Sequence, residues 1–385
     1  MENGAAPAID KEEKPRILLV APTPPPYGGM ALQARLLERL LRADGVPVVF
    51  APSNFSFPRG LAWLDVPLMR TLVRALLIWG KLWRQASQVD VVHVLAASWW
   101  YFFLVVYPAV MVGRLRGKRV VLNYRGGEAR VFFARYGWLA APVFRLANAI
   151  TVPSQFLAGI IQERFSVPVQ IVSNILDTSA FCYRRRATLQ PKLLVTRHLE
   201  EIYDVESVLR AFREVQQDFP EASLWIAGTG SQKERLQDLA TAWGLRNVRF
   251  LGHVAHGDLP AIYDQCDLYV NASKVDNFPG ALLEASAAGL VVISTSAGGI
   301  GFIYDDGKTA FLVEPGDWRN LAGAVVRALR DRQGALEMTA RGVELARGCE
   351  WKEVRKSLLR AYDSSAPQPG DQVAGEVRGI EPGVR

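Results

Sequence analysis

Cysteine is scarce in this sequence, with three among 385 residues, at positions 182, 266 and 349. Their number is odd, their spacing is wide and no Cys-x-x-Cys pair occurs. That argues against a disulfide framework and a thiolate zinc site, and it fits a reducing cytosol. Histidine is as sparse. Of His93, His198, His253 and His256, only the last two lie close together, three apart in a loop after a predicted strand, which is too few ligands for a metal site. No Asp-x-Asp metal motif occurs either, so metal-independent chemistry is expected. The opening residues MENGAAPAIDKEEKP lack an apolar core of signal-peptide length and read as a disordered leader over 1–14. Helix-turn-helix, zinc-finger and RNA-binding signatures are missing, so nucleic acid is not an expected partner.

What is present begins with a large apolar content. Half of the residues are hydrophobic, enough for a sizeable core, and the length suggests two domains. The formal charge of +7 is uneven: residues 59–145 hold thirteen Lys or Arg against three Asp or Glu, an excess above that of the whole chain. Trp63, Trp79, Trp83, Trp99, Trp100, Tyr101, Phe102 and Phe103 are interleaved with those charges. Amphipathic rings beside Lys and Arg suit an anionic membrane surface, the rings at headgroup level and the cations on lipid phosphate. Peripheral association with the inner face of the cytoplasmic membrane is therefore expected. Residues 94–113 carry no charge over twenty positions, a length that could span a bilayer. We read them as soluble, because the first residues complete a strand, Ser98 can cap a helix, and Pro108 breaks the remainder.

Apolar runs and helical spacing alternate along the chain. Residues 16–20, 46–50, 90–95, 119–123, 149–152 and 169–172 read as strands, with helical spacing over 31–41 and over 61–84, broken at Pro67. The alternation resumes at 192, with strands over 193–195, 224–227, 248–251, 268–270, 291–294 and 311–313 and a helix over 232–243. Such alternation makes parallel sheets covered on both faces, so the fold class is α/β with two Rossmann-like domains. We place the first over 15–178 and the second over 179–349, joined where patterning lapses over 174–191. A helix over 350–363 is expected to pack back on the first domain, and 364–385, rich in Gly, Pro and charge, reads as a disordered tail.

The most informative stretch is 273–299, SKVDNFPGALLEASAAGLVVISTSAGG. Asp276 and Glu284 stand eight positions apart across a Phe278-Pro279-Gly280 turn, and Gly298-Gly299 follows a strand. Carboxylates accept paired hydrogen bonds from sugar or ribose hydroxyls, while a helix N-terminus after a glycine turn offers N–H groups to a diphosphate. Departure of a nucleotide from a sugar builds charge on that diphosphate, so a cation is also needed. Arg197, just past a predicted strand, is the best candidate, and Gly28-Gly29 offers a second glycine turn in the first half.

With PPPYGG at 24–29, Thr196-Arg197, WIAGTG at 225–230, LGHV at 251–254, CDLYVNAS at 266–273 and Asp306-Gly307, the chain resembles the retaining glycosyltransferases of family 4, which have the GT-B fold of two domains facing across a cleft. The resemblance runs from about 17 to 362. It implies a nucleotide-sugar donor, UDP- or GDP-linked, as substrate, no separate cofactor, and a lipid-linked or growing glycan acceptor. It assigns Asp276 to the donor sugar, Glu284 to the ribose, and Gly28, Gly29, Arg197, Gly228, Phe278, Pro279, Gly280, Leu283, Gly298 and Gly299 to donor binding.

Three positions depart from that family's pattern. Asp276 stands where Glu is usual, one methylene shorter. Ile202 stands where a Lys usually partners the arginine, a loss of about 1.5–3 kcal/mol for one charge-assisted contact, so another cation must compensate. Arg125, with Glu128 three residues on, replaces a His. A retaining enzyme tolerates that change, since the departing phosphate can itself take the acceptor proton, with Arg125 holding that phosphate. Arg125, Glu128 and Asp276 are the catalytic candidates. The altered positions also keep open a nucleotide-sugar-binding protein that has lost catalysis, and a sugar-nucleotide epimerase on the same architecture.

Overall fold

A computed structural model describes residues 14–25, 28–54, 67–181, 183–186 and 188–363, with side chains left out over 67–76. The expected leader and tail, and the helical spacing over 61–66, lie outside the described residues. In chain order, β1 (Ile17–Ala21), α1 (Gly29–Ala43), β2 (Val48–Pro52), α2 (Pro67–Ala86), β3 (Val91–Ala96), α3 (Tyr107–Leu115), β4 (Arg119–Tyr124), α4 (Ala129–Leu146), β5 (Ala149–Val152), α5 (Gln155–Phe165) and β6 (Gln170–Ile171) form the first sheet and its helices. A second set follows: β7 (Lys192–Thr196), α6 (Val205–Asp218), β8 (Ser223–Ala227), α7 (Lys233–Ala242), β9 (Val248–Gly252), α8 (Leu259–Gln265), β10 (Leu268–Asn271), α9 (Gly280–Ala287), β11 (Val291–Thr295), α10 (Ile300–Ile303) and β12 (Phe311–Val313). Helices α11 (Trp318–Arg330), α12 (Arg332–Arg347) and α13 (Trp351–Tyr362) complete the described chain.

Each sheet has six strands, in the order β2-β1-β3-β4-β5-β6 and β12-β11-β10-β7-β8-β9. The pairings are parallel, with Leu19 beside Phe50 and His93 in the first sheet, and Tyr269 beside Val292 and Leu194 in the second. Helical crossovers cover both faces, so central strands are apolar at every position rather than at alternate ones. All five residues of β1 and all five of β11 are buried accordingly. The described chain divides into two compact units, one drawing on residues within 14–124, 138–150 and 361–363, the other on residues within 125–137 and 151–360.

Local departures from expectation have plain causes. Helix α2 is described from Pro67 onward, so the break expected at that residue lies at the edge of the described residues. Ser98 does not serve as the expected N-cap: its hydroxyl meets that of Tyr124 at 2.8 Å, and the chain turns instead at Trp99, in the left-handed region at φ 62°. A π-helical turn over Phe102–Val106 then runs without a gap into α3, so the helix passes through Pro108 and the break expected there does not occur. Among the described residues no helix is long and apolar enough to cross a membrane. At the end of α13, the Tyr362 hydroxyl lies 2.7 Å from His93 Nδ1, and the Ala361 carbonyl accepts from Arg119 Nε at 2.9 Å.

Candidate active site

In the second sheet β10 and β7 are central neighbours, and the residues just past their carboxyl ends, with those past β8 and β11, form one polar cluster. This edge is where parallel sheets leave backbone and side chains free to meet a ligand. Thr196 ends β7 and Arg197 follows it. The Arg197 guanidinium pairs with the Asp276 carboxylate, donates through Nε to Asn271 Oδ1 at 3.0 Å, and lies 5.1 Å from the centre of the Tyr203 ring. Burial pulls its pKa down, but Asp276, Tyr269 and Tyr203 outweigh this and hold it above the ordinary arginine value. Asn271 is fixed in turn by Ser294 Oγ at 2.9 Å and Ser273 Oγ at 2.7 Å.

The loop from Ser273 into α9 is held at its turn by the Asp276 side chain, whose Oδ1 accepts from Phe278 N at 3.0 Å. Pro279 caps α9, and Gly280 opens it with free space where a Cβ would stand. The glycine turn lies directly against this loop: Gly299 N donates to the Asp276 carbonyl at 2.6 Å. A Cβ on Gly298 would stand 2.3 Å from that same carbonyl oxygen, and one on Gly299 would stand 2.2 Å from that of Asn277. Gly298 is also left-handed, at φ 57°. Both glycines are therefore needed for close packing of two backbones. Gly228 does the same behind Arg197, where a Cβ would meet the Arg197 carbonyl at 1.9 Å.

Glu284 lies in the second turn of α9. Its Oε2 accepts from the Tyr263 hydroxyl at 3.0 Å. Burial raises its pKa, against the opposing influence of His256, the Tyr263 hydrogen bond and Arg197. Tyr263 OH also lies 2.7 Å from Thr196 Oγ1, which is 3.1 Å from Tyr269 OH. The two phenol rings stack at 6.0 Å with 14° between their planes. Leu283 is fully buried in the core cluster and its N–H bonds the Pro279 carbonyl, so this residue supports α9 from behind and offers no group to a ligand.

The remaining candidates lie elsewhere. Gly28 and Gly29 form the N-terminus of α1 in the first unit, with open space at both Cβ positions. Arg125 follows β4. Its guanidinium donates to Asn174 Oδ1, and burial pushes its pKa down to about 10. Glu128 is exposed at the start of α4, its carbonyl accepting from Phe132 N at 2.9 Å. At the position of the missing lysine, the Ile202 carbonyl accepts from Lys274 N at 2.8 Å, and the Lys274 ammonium is half-exposed, 3.8 Å from Glu201 Oε1. Among the described residues no group of three or more His, Cys, Asp or Glu could hold a metal ion.

Sequence reasoning missed Thr196, Tyr263, Tyr269, Asn271, Ser273 and Ser294 as members of the site. Most sit in strand ends that read as core, and Tyr263, on α8, carries no local signal. Only the meeting of four strand ends shows that their hydroxyls and amide face one another.

A model described as "Glycosyltransferase Family 4" matches residues 27–180, and one described as "Glycosyl transferases group 1" matches 185–345. Together the two models span residues 27–345, and the chain is a glycosyltransferase of the family 4 type. It is 28% identical over 342 residues to a glycogen synthase of Mycobacterium tuberculosis, covering 83% of this chain and 80% of that protein. It is 25% identical over 369 residues to the sulfoquinovosyl transferase SQD2 of Arabidopsis thaliana, covering 85% and 70%. The fold matches Anabaena HepE solved in complex with UDP, with a TM-score of 0.70, 16% identity and coverage of 89% and 98%. Sucrose-phosphate synthase of Thermosynechococcus elongatus matches at a TM-score of 0.71, 18% identity and coverage of 90% and 98%. This glycosyltransferase thus has the GT-B fold, and the cluster past β7, β8, β10 and β11 lies within the group 1 segment.

Proposed function

We propose that this glycosyltransferase moves a sugar, with retention of configuration, from a UDP- or GDP-linked donor to a lipid-linked or growing glycan acceptor in cell-surface polysaccharide or glycolipid synthesis. The observation that carries the donor half is the packing of the Asp276 loop on the Gly298-Gly299 turn. It brings a paired guanidinium and carboxylate, a glycine turn and the half-buried Glu284 to one strand edge. In this reading Glu284 accepts from ribose hydroxyls, Asp276 from sugar hydroxyls, and Arg197 and the Gly299-Ile300 end of α10 face the diphosphate. Arg197 shares its charge with Asp276, so a second cation is needed. Lys274, docked by its backbone on Ile202, is the residue we assign to that part.

The chemical step then balances simply. The bond from the anomeric carbon to the β-phosphate oxygen breaks, a bond to the acceptor oxygen forms on the same face, and the acceptor proton passes to the departing phosphate. Arg125 would hold that phosphate, with no metal or cofactor required. Support for a lipid surface comes from the first unit, where Trp83, Trp100, Leu115 and Trp138 are exposed within the basic stretch and the Arg116 guanidinium lies 4.1 Å from the Trp83 ring centre. Location at the cytoplasmic face of the membrane follows from that surface together with the nucleotide-linked donor.

Thermal shift against UDP-glucose, GDP-mannose and ADP-glucose tests the donor half. A ligand at a hundred times its Kd stabilises by about 2.7 kcal/mol, and a response to none of the three would overturn the reading. Anomeric configuration of the product by NMR tests retention, and co-sedimentation with anionic against zwitterionic vesicles tests the surface.

A further inference from the structure

Glu284 is half-buried, and only one of its two carboxylate oxygens, Oε2, has a hydrogen-bond partner among the described residues. That partner is the Tyr263 hydroxyl, which itself sits in a chain of hydroxyls: Tyr269 OH to Thr196 Oγ1 at 3.1 Å, Thr196 Oγ1 to Tyr263 OH at 2.7 Å, and Tyr263 OH to Glu284 Oε2 at 3.0 Å. The Ala281 carbonyl, 3.2 Å from Tyr263 OH, is the one competing acceptor. Three hydroxyls carry three protons. When Glu284 is ionised, every proton can point the same way, Tyr269 to Thr196, Thr196 to Tyr263, Tyr263 to Glu284, and the last donor meets a charged acceptor, the strongest arrangement open to it.

We propose that Tyr263 and Thr196 are positioning residues for donor binding: their ordered hydroxyl chain turns Oε2 of Glu284 inward and leaves Oε1 as the single edge presented to the donor ribose. The inference rests on the assignment of Glu284 to the donor. Burial raises the pKa values of Tyr263 and Tyr269, so both phenols keep their protons and remain donors. The groups facing Glu284 are Tyr263 and His256 from the α8 side and Arg197 from the end of β7, with Tyr269 on β10 behind Thr196. Of these, only Tyr263 touches the carboxylate, so removing its hydroxyl takes away the contact that both orients Glu284 and favours its charged form. Thr196 also ties this arrangement to Arg197, the next residue, so the ribose and diphosphate ends of the donor would be gripped from one strand end.

The test is isothermal titration of the full-length protein with UDP-glucose, or GDP-mannose where it binds more tightly, from pH 5 to pH 8.5. Neither diphosphate diester titrates in that range, so the pH profile reports the protein. Tyr263→Phe should weaken binding about tenfold at neutral pH. It should also move the pH below which affinity falls upward by about one unit, because Glu284 has lost its stabilising donor. Thr196→Val should give a smaller change in the same direction, and Thr196→Ser should restore wild-type behaviour. A role confined to packing would lower Tm without moving the pH profile; that outcome, or Tyr263→Phe binding like wild type, overturns the proposal. Glu284→Gln separates this from the underlying assignment. If it too binds normally, Glu284 is not a donor group and both readings fall. If it is impaired while Tyr263→Phe is not, only the hydroxyl chain falls.

Discussion

Replacing Gly299 with alanine isolates the contact on which the proposed donor site is built. The backbone at 299 has an ordinary helical φ of −74°, so alanine carries no conformational penalty there, and only its new Cβ matters. That Cβ would stand 2.2 Å from the Asn277 carbonyl oxygen, over an ångström inside contact distance, and the obstacle is backbone rather than the end of a flexible side chain. Loop and turn must separate, which also lengthens the 2.6 Å hydrogen bond from Gly299 N to the Asp276 carbonyl. Overpacking of this kind costs about 1–3 kcal/mol, and the lost hydrogen bond adds about 1 kcal/mol. For a unit of this size that corresponds to a fall in Tm of roughly 4–12 °C. Gly298→Ala meets a similar obstruction at 2.3 Å and adds a left-handed backbone at φ 57°, a further cost of about 1–2 kcal/mol. Differential scanning fluorimetry reads both, and titration with UDP-glucose reads the site. Gly323→Ala, in α11 and outside the proposed site, is the control, since nothing among the described residues lies within 4 Å of its Cβ. If Gly299→Ala matched wild type in both Tm and donor affinity, the packing of loop on turn could not be what shapes the site.

Other predictions can be checked alongside. Lys274→Ala should weaken UDP-glucose binding about tenfold, and Ile202→Lys in that background should recover part of the loss; an unchanged Kd would leave Arg197 as the sole cation for the diphosphate. Arg125→Ala should depress turnover strongly, by more than it weakens UDP-glucose binding, and wild-type turnover would remove Arg125 from the chemistry. Arg186 is fully buried and donates to Asp267 Oδ1 at 2.7 Å and to the Cys266, Ala288 and Gly289 carbonyls at 2.6, 2.9 and 2.6 Å. Arg186→Met leaves Asp267 to Arg184 and the Gln190 N–H, at 2.9 and 2.7 Å, but takes the donor from three buried carbonyls, and should cost about 1–3 kcal/mol, seen as a fall in Tm. The raised pKa of Glu284 predicts a pH dependence of stability with a definite sign. Below the ordinary 4.5 the group is protonated folded and unfolded, and above its raised native value folding holds a partly desolvated charge, so wild type loses stability as pH rises through that window. Glu284→Gln should lack this loss, which Tm measured from pH 4 to 8 against wild type will show.

The sequence by itself determined the layered α/β architecture, because parallel strands buried on both faces must be apolar throughout and their crossovers must carry helical spacing. It also singled out the loop, helix and glycine turn that the fold brings together as the proposed donor site, since Phe-Pro-Gly, a following Glu and a glycine pair are local signals at fixed spacing. What it misjudged were residues whose setting is decided by distant chain. The run Tyr183–Arg186 reads as a charged join, yet Arg186 is buried where Cys266, Asp267 and the end of α9 supply its acceptors. Leu283 reads as part of the ligand motif, yet the α9 helix turns it into the core. The pairing of Arg197 with Asp276, 79 positions apart, and the chain from Tyr269 through Thr196 and Tyr263 to Glu284 have no trace in any local pattern. They arise because β7 and β10 lie side by side, so that polar groups at their carboxyl ends meet. Local patterning follows from the period of strand and helix, whereas which hydroxyl finds which carboxylate follows from strand order, and only the folded sheet sets that.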